Sequence, residues 1–158
     1  MIRGKFLGLL AAISATTFLM LGAYLLIAVS SGGSVDYMAF WVIILQLMEM
    51  AILIGVLILF SAFTTPLAAT IYTILILYIG HLLTLIREYA LKSGRVAKYI
   101  LMAVYYSFPN LEKFNIRNLI VHQIPISSRE VFISSAYALF YIILVLYLAQ
   151  ILLNRKEL

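Results

Sequence analysis

The sequence predicts an all-α protein with one transmembrane domain: a polytopic membrane helix bundle with four transmembrane helices and an interfacial or re-entrant helical segment between the third and the fourth. Hydrophobic residues make up 65% of the 158-residue chain and charged residues only 11%, and the mean hydropathy is +1.12. A water-soluble domain of this size needs a polar surface that 11 basic and six acidic side chains do not provide. Residues 6–35, 50–86 and 131–154 contain no charged residue, and each stretch is long enough for a bilayer-spanning helix.

The first predicted span covers residues 6–29, slightly more than the roughly 20 apolar residues that a bilayer core requires. Its basic start is similar to that of a signal peptide, but its apolar run is longer than that of a cleaved signal, so we expect a retained membrane anchor. Residues 30–36 form a polar break with two adjacent glycines, which predicts a tight connection between antiparallel helices. The second span follows at residues 37–60, with Tyr37 and Trp41 near the headgroups.

The third and fourth spans are delimited by helix start and stop signals. Residues 61–66 combine hydroxyl side chains with a proline, which favours a helix end followed by a new helix with proline in its first turn. The third span is therefore placed at residues 67–86. Ser127 precedes Glu130 by three residues, the spacing of a capping box, and predicts the start of the fourth span at residues 131–153.

The region between these two spans, residues 87–130, is neither a plain loop nor a span. Residues 96–108 are apolar and rich in tyrosine, but they are too short to cross a bilayer and end at Pro109. They predict an interfacial or re-entrant helix. The three asparagines of residues 110–118 disfavour a continuous helix. Irregular backbone at membrane depth must be buried in protein or hydrated, because lipid cannot satisfy its polar groups.

Glu49 is the only acidic residue predicted deep inside a span, which makes it a candidate for a transport pathway. The alternative is a structural role, in which a carboxyl group holds helices together with Gln46, three residues earlier on the same face. His81, near the end of the third span, is a candidate for a gate or a partner of Glu49, although a lone histidine also satisfies local hydrogen bonds. Counting from the turn at Pro66 places Glu49 and His81 about 4.5 Å apart in depth, which permits contact without requiring it.

Other functional classes have little support in the sequence. The chain has no cysteine and only two histidines, so we expect no metal site and no cofactor. It lacks the glycine-rich phosphate-binding loop of an ATPase and the serine and paired-carboxylate motifs of hydrolases, so we expect no enzymatic activity. The net charge of +5 comes from basic residues at span ends and in loops, which favours anionic membrane lipids over nucleic acid as the partner.

Four segments of the sequence carry a family resemblance: GKFLG at 4–8, FSAFTTP at 60–66, YIGH at 78–81 and, most specifically, FPNLEKFNIRN at 108–118. Together they resemble the permeases of ATP-binding-cassette (ABC) transporters of the type-2 exporter family, especially the branch associated with multicopper-enzyme maturation. The resemblance extends over nearly the whole chain but corresponds to only the C-terminal four spans of a permease that usually has six. It implies that an outer gate is formed by Phe108, Pro109, Asn110, Leu111, Phe114 and Asn115.

The resemblance also implies a function and partners. The chain would be a permease subunit, or half-permease, that moves an unidentified substrate by alternating access driven by a separate ABC ATPase, with Arg3 and Lys5 nearest the ATPase. A second permease chain, the same or different, would complete the pathway and supply the missing spans, unless this chain is a truncated permease. The alternative that the same composition allows is a noncatalytic membrane scaffold or assembly subunit of a larger membrane complex.

The implied location is the cell (inner) membrane, with both termini in the cytoplasm. Charge counting predicts the opposite orientation, because seven basic residues lie between the third and fourth spans and basic loops favour the cytoplasmic side. We follow the resemblance, since an interfacial segment keeps its basic residues among the headgroups on its own side.

Overall fold

The chain folds into helices at the positions that its hydropathy predicts. The computed structural model describes residues 2–32, 38–115 and 127–156, and of residues 3, 38, 39 and 156 it describes the backbone only. These ranges contain α1 Ile2–Ser30, α2 Met38–Ser61, α3 Pro66–Lys92, α4 Arg95–Ser107, a 3-10 helix Leu111–Phe114 and α5 Ser128–Lys156. The described residues contain no β-strand, which confirms the all-α prediction.

Four of the helices, α1, α2, α3 and α5, are long and apolar enough to cross a bilayer. The predicted spans at residues 6–29, 37–60, 67–86 and 131–153 fall on them in that order. α4 and the 3-10 helix lie between the third and fourth spans, where the sequence predicts an additional helical segment.

Local sequence determines several of the helix ends. The chain leaves α1 through Gly32, whose φ of 71° lies in the left-handed region that favours glycine. α3 begins after Thr65, whose hydroxyl accepts a hydrogen bond from the Ala68 N–H at 3.4 Å. Pro66 occupies the first turn of α3, as the sequence predicts.

α3 is longer than the span predicted within it. The span was expected to end at Ile86, but the helix continues to Lys92. Arg87 and Glu88 mark an interface with water without interrupting the helix, because arginine and glutamate are good helix formers. The helix ends at Ser93, whose hydroxyl donates to the Tyr89 carbonyl at 2.7 Å.

α2 lies at the centre of the bundle. It packs against α1, α3, α5 and the 3-10 helix, and its residues 51–56 are all buried. α5 meets it with a face that includes the buried residues Ala138, Val145 and Ala149. The two helices are in contact at Gly55, where an added Cβ atom would lie at an ordinary van der Waals distance of 3.6 Å from Val145 Cγ1.

Large apolar side chains cover the outer faces of α1, α3 and α5. Leu19 in α1 and Phe132 in α5 are 74% and 75% exposed, and Tyr78 in α3 is 66% exposed. Contact between water and so much apolar surface would be strongly unfavourable, whereas lipid chains solvate it well. The protein is therefore a multi-pass membrane protein.

α4 turns back along α3 after the break at residues 93–94. The two helices pack against each other, and the Arg87 guanidinium lies 5.9 Å from the centroid of the Tyr105 ring. Beyond α4 the chain packs against Gly80, which lies about 10 Å from Arg87 toward the start of α3 at about 1.5 Å per residue. Residues 108–115, here called the re-entrant segment, therefore enter the bundle at membrane depth.

Candidate functional site

Glu49 lies in the middle of α2 and points into the bundle. Its residue surface is only 6% exposed, in a helix that otherwise consists almost entirely of apolar residues. Val42, Gln46 and Met50 lie on the same side of the helix at helical spacing, and all four side chains line one cavity. The shared face of Gln46 and Glu49 that the sequence indicates is present in the fold.

His81 on α3 connects two carboxylates. Its Nε2 lies 2.9 Å from Glu49 Oε1, and its Nδ1 lies 3.3 Å from Glu112 Oε2 in the 3-10 helix. The structure thus places Glu49 and His81 in direct contact, and it adds a second acid from the re-entrant segment. Glu49, His81 and Glu112 are called the carboxylate–histidine cluster below.

The cluster needs shared protons to form both hydrogen bonds. A neutral imidazole has one N–H donor, so the second contact requires a proton either on the other ring nitrogen or on a carboxyl group. With two protons distributed over the three groups, the net charge of the cluster is −1 in either arrangement. Either arrangement of the two protons satisfies both hydrogen bonds.

Close packing on Gly80 brings the re-entrant segment to this depth. Leu111 and Pro109 are fully buried, and a Cβ atom at position 80 would lie 2.6 Å from Leu111 Cγ and 2.9 Å from the Pro109 carbonyl oxygen. Only glycine allows this approach, because the contact involves backbone and not merely the end of a flexible side chain. Because of this packing, Glu112 lies within hydrogen-bond distance of His81, the residue that follows Gly80.

The other side of the re-entrant segment is fastened to α5. The Asn110 N–H donates to the Tyr137 hydroxyl at 2.9 Å, and the Ser134 hydroxyl donates to the Lys113 carbonyl at 3.4 Å. The Lys113 ammonium lies 4.5 Å from the centroid of the Tyr137 ring, a cation–π distance. These contacts satisfy part of the irregular backbone with protein groups, as membrane depth demands. Asn110 Oδ1 is buried and has no hydrogen-bond partner among the described residues.

A cavity of about 330 Å³ opens beside the cluster. It lies between α2, α3 and the re-entrant segment, and its lining combines polar with apolar side chains. The polar ones are Gln46, Glu49, His81 and Asn115, and the apolar ones are Val42, Met50, Leu77 and Phe114. Phe114 and Asn115 close one wall, so a movement of the re-entrant segment would change the size and the access of the cavity.

The remaining predicted site residues divide between the two ends of the bundle. Phe108 is half-buried where α4 joins the re-entrant segment. Lys5 lines a groove with Ser61 and Pro66 at the opposite end of α3. The side chain of Arg3 lies outside the described residues, as do residues 116–118 of the family-like segment.

Glu112 and Tyr137 belong to the site although sequence reasoning did not select them. In the sequence, Glu112 is one position of the FPNLEKFNIRN segment, and Tyr137 is one of 11 tyrosines. A usable signal was present for Glu112, since an acid inside a segment predicted to re-enter the bundle requires a partner. No comparable sequence signal distinguishes Tyr137.

The cluster does not converge on one point. The two ring nitrogens of His81 point to opposite sides of the imidazole, and each faces a different carboxylate. A single metal ion therefore cannot bind both ring nitrogens. Within the described ranges, no three histidine, cysteine, aspartate or glutamate side chains are grouped so that they could hold a metal ion. The arrangement suits hydrogen bonds between His81 and the two carboxylates.

Comparisons with known proteins give no indication of the function. No family model, no curated protein and no solved structure matches the chain.

Proposed function

We propose that the chain is a membrane-spanning permease subunit, or half-permease, of an ABC exporter of the type-2 family, which moves its substrate by alternating access. The observation that carries the proposal is the carboxylate–histidine cluster, which joins a buried carboxylate to a re-entrant segment beside a cavity. A transport pathway needs polar groups at membrane depth and a movable element that closes over them. The FPNLEKFNIRN resemblance independently assigns the same segment to the outer gate.

Opening toward the gate side would require the re-entrant segment to move away from α3. The His81–Glu112 contact at 3.3 Å and the Asn110–Tyr137 hydrogen bond would have to be exchanged. The Glu49–His81 contact joins two spans and would persist if those spans moved together. Release of Glu112 would leave the Glu49–His81 contact as the remaining hydrogen bond of the cluster.

Energy would come from a separate ATPase at the opposite end of the bundle. Lys5 lies at that end, beside the α2–α3 turn, whereas α4 packs near the other end of α3 at Arg87 and leads into the re-entrant segment. ATP binding would draw together the cytoplasmic ends of two permease chains and allow the other side to open. In this arrangement both termini are cytoplasmic, because an even number of spans returns the chain to its starting side.

Affinity purification of the full chain in mild detergent, followed by mass spectrometry of the bound proteins, tests this proposal. We expect an ATPase with a phosphate-binding loop, with a second membrane chain or a second copy of this one. The purified assembly should hydrolyse ATP. Recovery of a large membrane complex that contains no ATPase would overturn the proposal in favour of the scaffold or assembly function.

A further inference from the structure

The cavity beside the carboxylate–histidine cluster has two chemically different halves. Glu49, Gln46 and Asn115 offer oxygen acceptors, while Met50, Leu77 and Phe114 offer apolar contacts. Glu49 is more than nine-tenths buried, and its carboxylate still lines the cavity. Its Oε1 contacts His81, and its Oε2 has no hydrogen-bond partner within the described residues.

The charge around the cavity is negative. The cluster carries a net charge of −1 when it holds the two protons that its hydrogen bonds require. In the described part of the chain His81 is the only basic group that pairs with either carboxylate. Among the described cations, Lys113 lies over Tyr137 and Arg87 over Tyr105, and neither of them lines the cavity.

The lining also limits what kind of ligand fits. A bare inorganic cation would leave most of a cavity of about 330 Å³ unfilled and would gain nothing from its apolar half. An anion would be repelled by Glu49 and Glu112. A neutral apolar molecule would leave Glu49 Oε2 without a hydrogen-bond donor.

We propose that this cavity binds a small organic ammonium ion, with the ammonium group on Glu49 and the organic body against Met50, Leu77 and Phe114. The ammonium donates to Glu49 Oε2 and to the amide oxygens of Gln46 or Asn115, and it offsets the excess negative charge. The role of this ion as the transported substrate rests on the proposed permease function. Binding itself needs only the chain described here.

The test compares two probes of nearly equal size on the purified full chain in mild detergent. Isothermal titration calorimetry measures the binding of phenethylammonium and of the uncharged phenethyl alcohol, each corrected for partition into protein-free micelles. We expect saturable binding of phenethylammonium, with the alcohol at least about tenfold weaker, which equals about 1.4 kcal/mol. Equal affinities, or no saturable binding of phenethylammonium, would overturn the proposal.

Two variants place the site. Glu49→Gln should weaken phenethylammonium binding by about tenfold or more, while Glu88→Gln, which removes an exposed carboxylate from α3, should leave it unchanged. Val42→Phe should also abolish binding, because it fills the cavity and retains the cluster. If Glu49→Gln fails to fold, Val42→Phe and the probe pair decide the question. Unchanged affinity in a folded Glu49→Gln or Val42→Phe protein would place the ligand elsewhere and refute the assignment.

The outcome separates this inference from the proposed function. An ATPase that purifies with a chain unable to bind phenethylammonium would leave the permease proposal standing and remove the ammonium site. Selective phenethylammonium binding by a chain that recruits no ATPase would retain the site and remove its transport role.

Discussion

Glu49 occupies a position where an isolated charge would be strongly unfavourable. The middle of a spanning helix offers little water, so a carboxylate there must be protonated, paired or exposed to a hydrated cavity. The structure supplies a partner, His81 at 2.9 Å, and a cavity at the Gln46 and Glu49 face. The same contacts would serve a structural role, so mutation must separate structure from transport.

Glu49→Gln preserves the size of the side chain but removes its charge. We expect ATP hydrolysis by the assembly reconstituted with the proposed ATPase to fall about tenfold, because the transport pathway loses its buried negative charge while the glutamine amide oxygen can still accept from His81. The melting temperature of the chain, measured in the same detergent, should change little, and Glu88→Gln should change neither quantity. A lower melting temperature with normal hydrolysis would support the structural role.

Gly80 is the second residue whose replacement is informative. Gly80→Ala would place a Cβ atom 2.6 Å from Leu111 Cγ and 2.9 Å from the Pro109 carbonyl oxygen. We expect the re-entrant segment to be displaced and the free energy of unfolding to fall by ~1–3 kcal/mol, as is typical of overpacking. Thermal unfolding monitored by circular dichroism in detergent measures the change.

Gly22→Ala provides the matched control for that experiment. Gly22 lies in α1 with nothing within 4 Å of the added methyl group, and alanine is the better helix former. Its melting temperature should equal or exceed that of the natural chain. Equal melting temperatures for the two variants would show that the approach of Leu111 to α3 is not tight.

At the scale of elements, the re-entrant segment is held between two spans by different kinds of contact. Steric packing on Gly80 and the His81–Glu112 hydrogen bond join it to α3, whereas hydrogen bonds to Tyr137 and Ser134 join it to α5. Packed contacts are lost abruptly with distance, while hydrogen bonds can be exchanged for water. We therefore expect the hydrogen bonds to α5 to break before the packed contact with α3 is lost.

Tyr137→Phe removes the hydroxyl group that accepts the Asn110 N–H at 2.9 Å. The unpaired N–H should destabilise the closed position of the segment by ~1–3 kcal/mol. Hydrogen–deuterium exchange should therefore become at least about tenfold faster in peptides that contain Asn110. Tyr147→Phe, on the exposed face of α5, should leave exchange at Asn110 unchanged. Equal protection in both variants would contradict the role given to Tyr137.

At the scale of the whole molecule, the bundle has two unlike ends. One end carries Lys5 beside the α2–α3 turn. The other carries α4 with exposed Arg95 and Lys98, from which the chain descends toward the cavity. This difference between the ends agrees with the proposal of an ATPase contact at the Lys5 end and a gate at the α4 end.

Lys5→Glu tests the Lys5 end. If Lys5 lies at the proposed contact with an ATPase, charge reversal there should slow ATP hydrolysis by the reconstituted assembly by about two- to fivefold. Lys98→Glu makes the same charge change on exposed α4 and should leave hydrolysis unchanged. An equal effect of both variants, or none from Lys5→Glu, would argue against an ATPase at the Lys5 end.

Single cysteines decide the orientation, since the natural chain contains none. Lys92→Cys and Ser61→Cys change the last residues of α3 and α2, which lie on opposite sides of the membrane. With a membrane-impermeant maleimide, Lys92→Cys should be labelled in intact cells and Ser61→Cys only after permeabilisation. The reverse pattern would favour the orientation that the basic loop predicts from charge alone.

Local sequence determined the elements of this protein. Residues 50–60 are apolar and continuous, and Thr65-Pro66 combines a cap with a helix start, so the spans and their breaks could be located before any contact was known. The tyrosine-rich residues 96–108, which are too few to cross a bilayer, likewise predicted α4. These features depend on neighbours in the chain and on the thickness of the bilayer, both of which are readable from one sequence.

Tertiary structure alone decided how the site is assembled. Glu49 and Glu112 lie 32 and 31 residues from His81, and residue counting along two spans could only permit the first of these contacts. The second arises because α4 folds back along α3 and Gly80 admits Leu111 at short range. Hydropathy records that a residue prefers lipid or water, but it carries no information about which faces meet. The cluster and its cavity form because particular faces of α2, α3 and the re-entrant segment pack together.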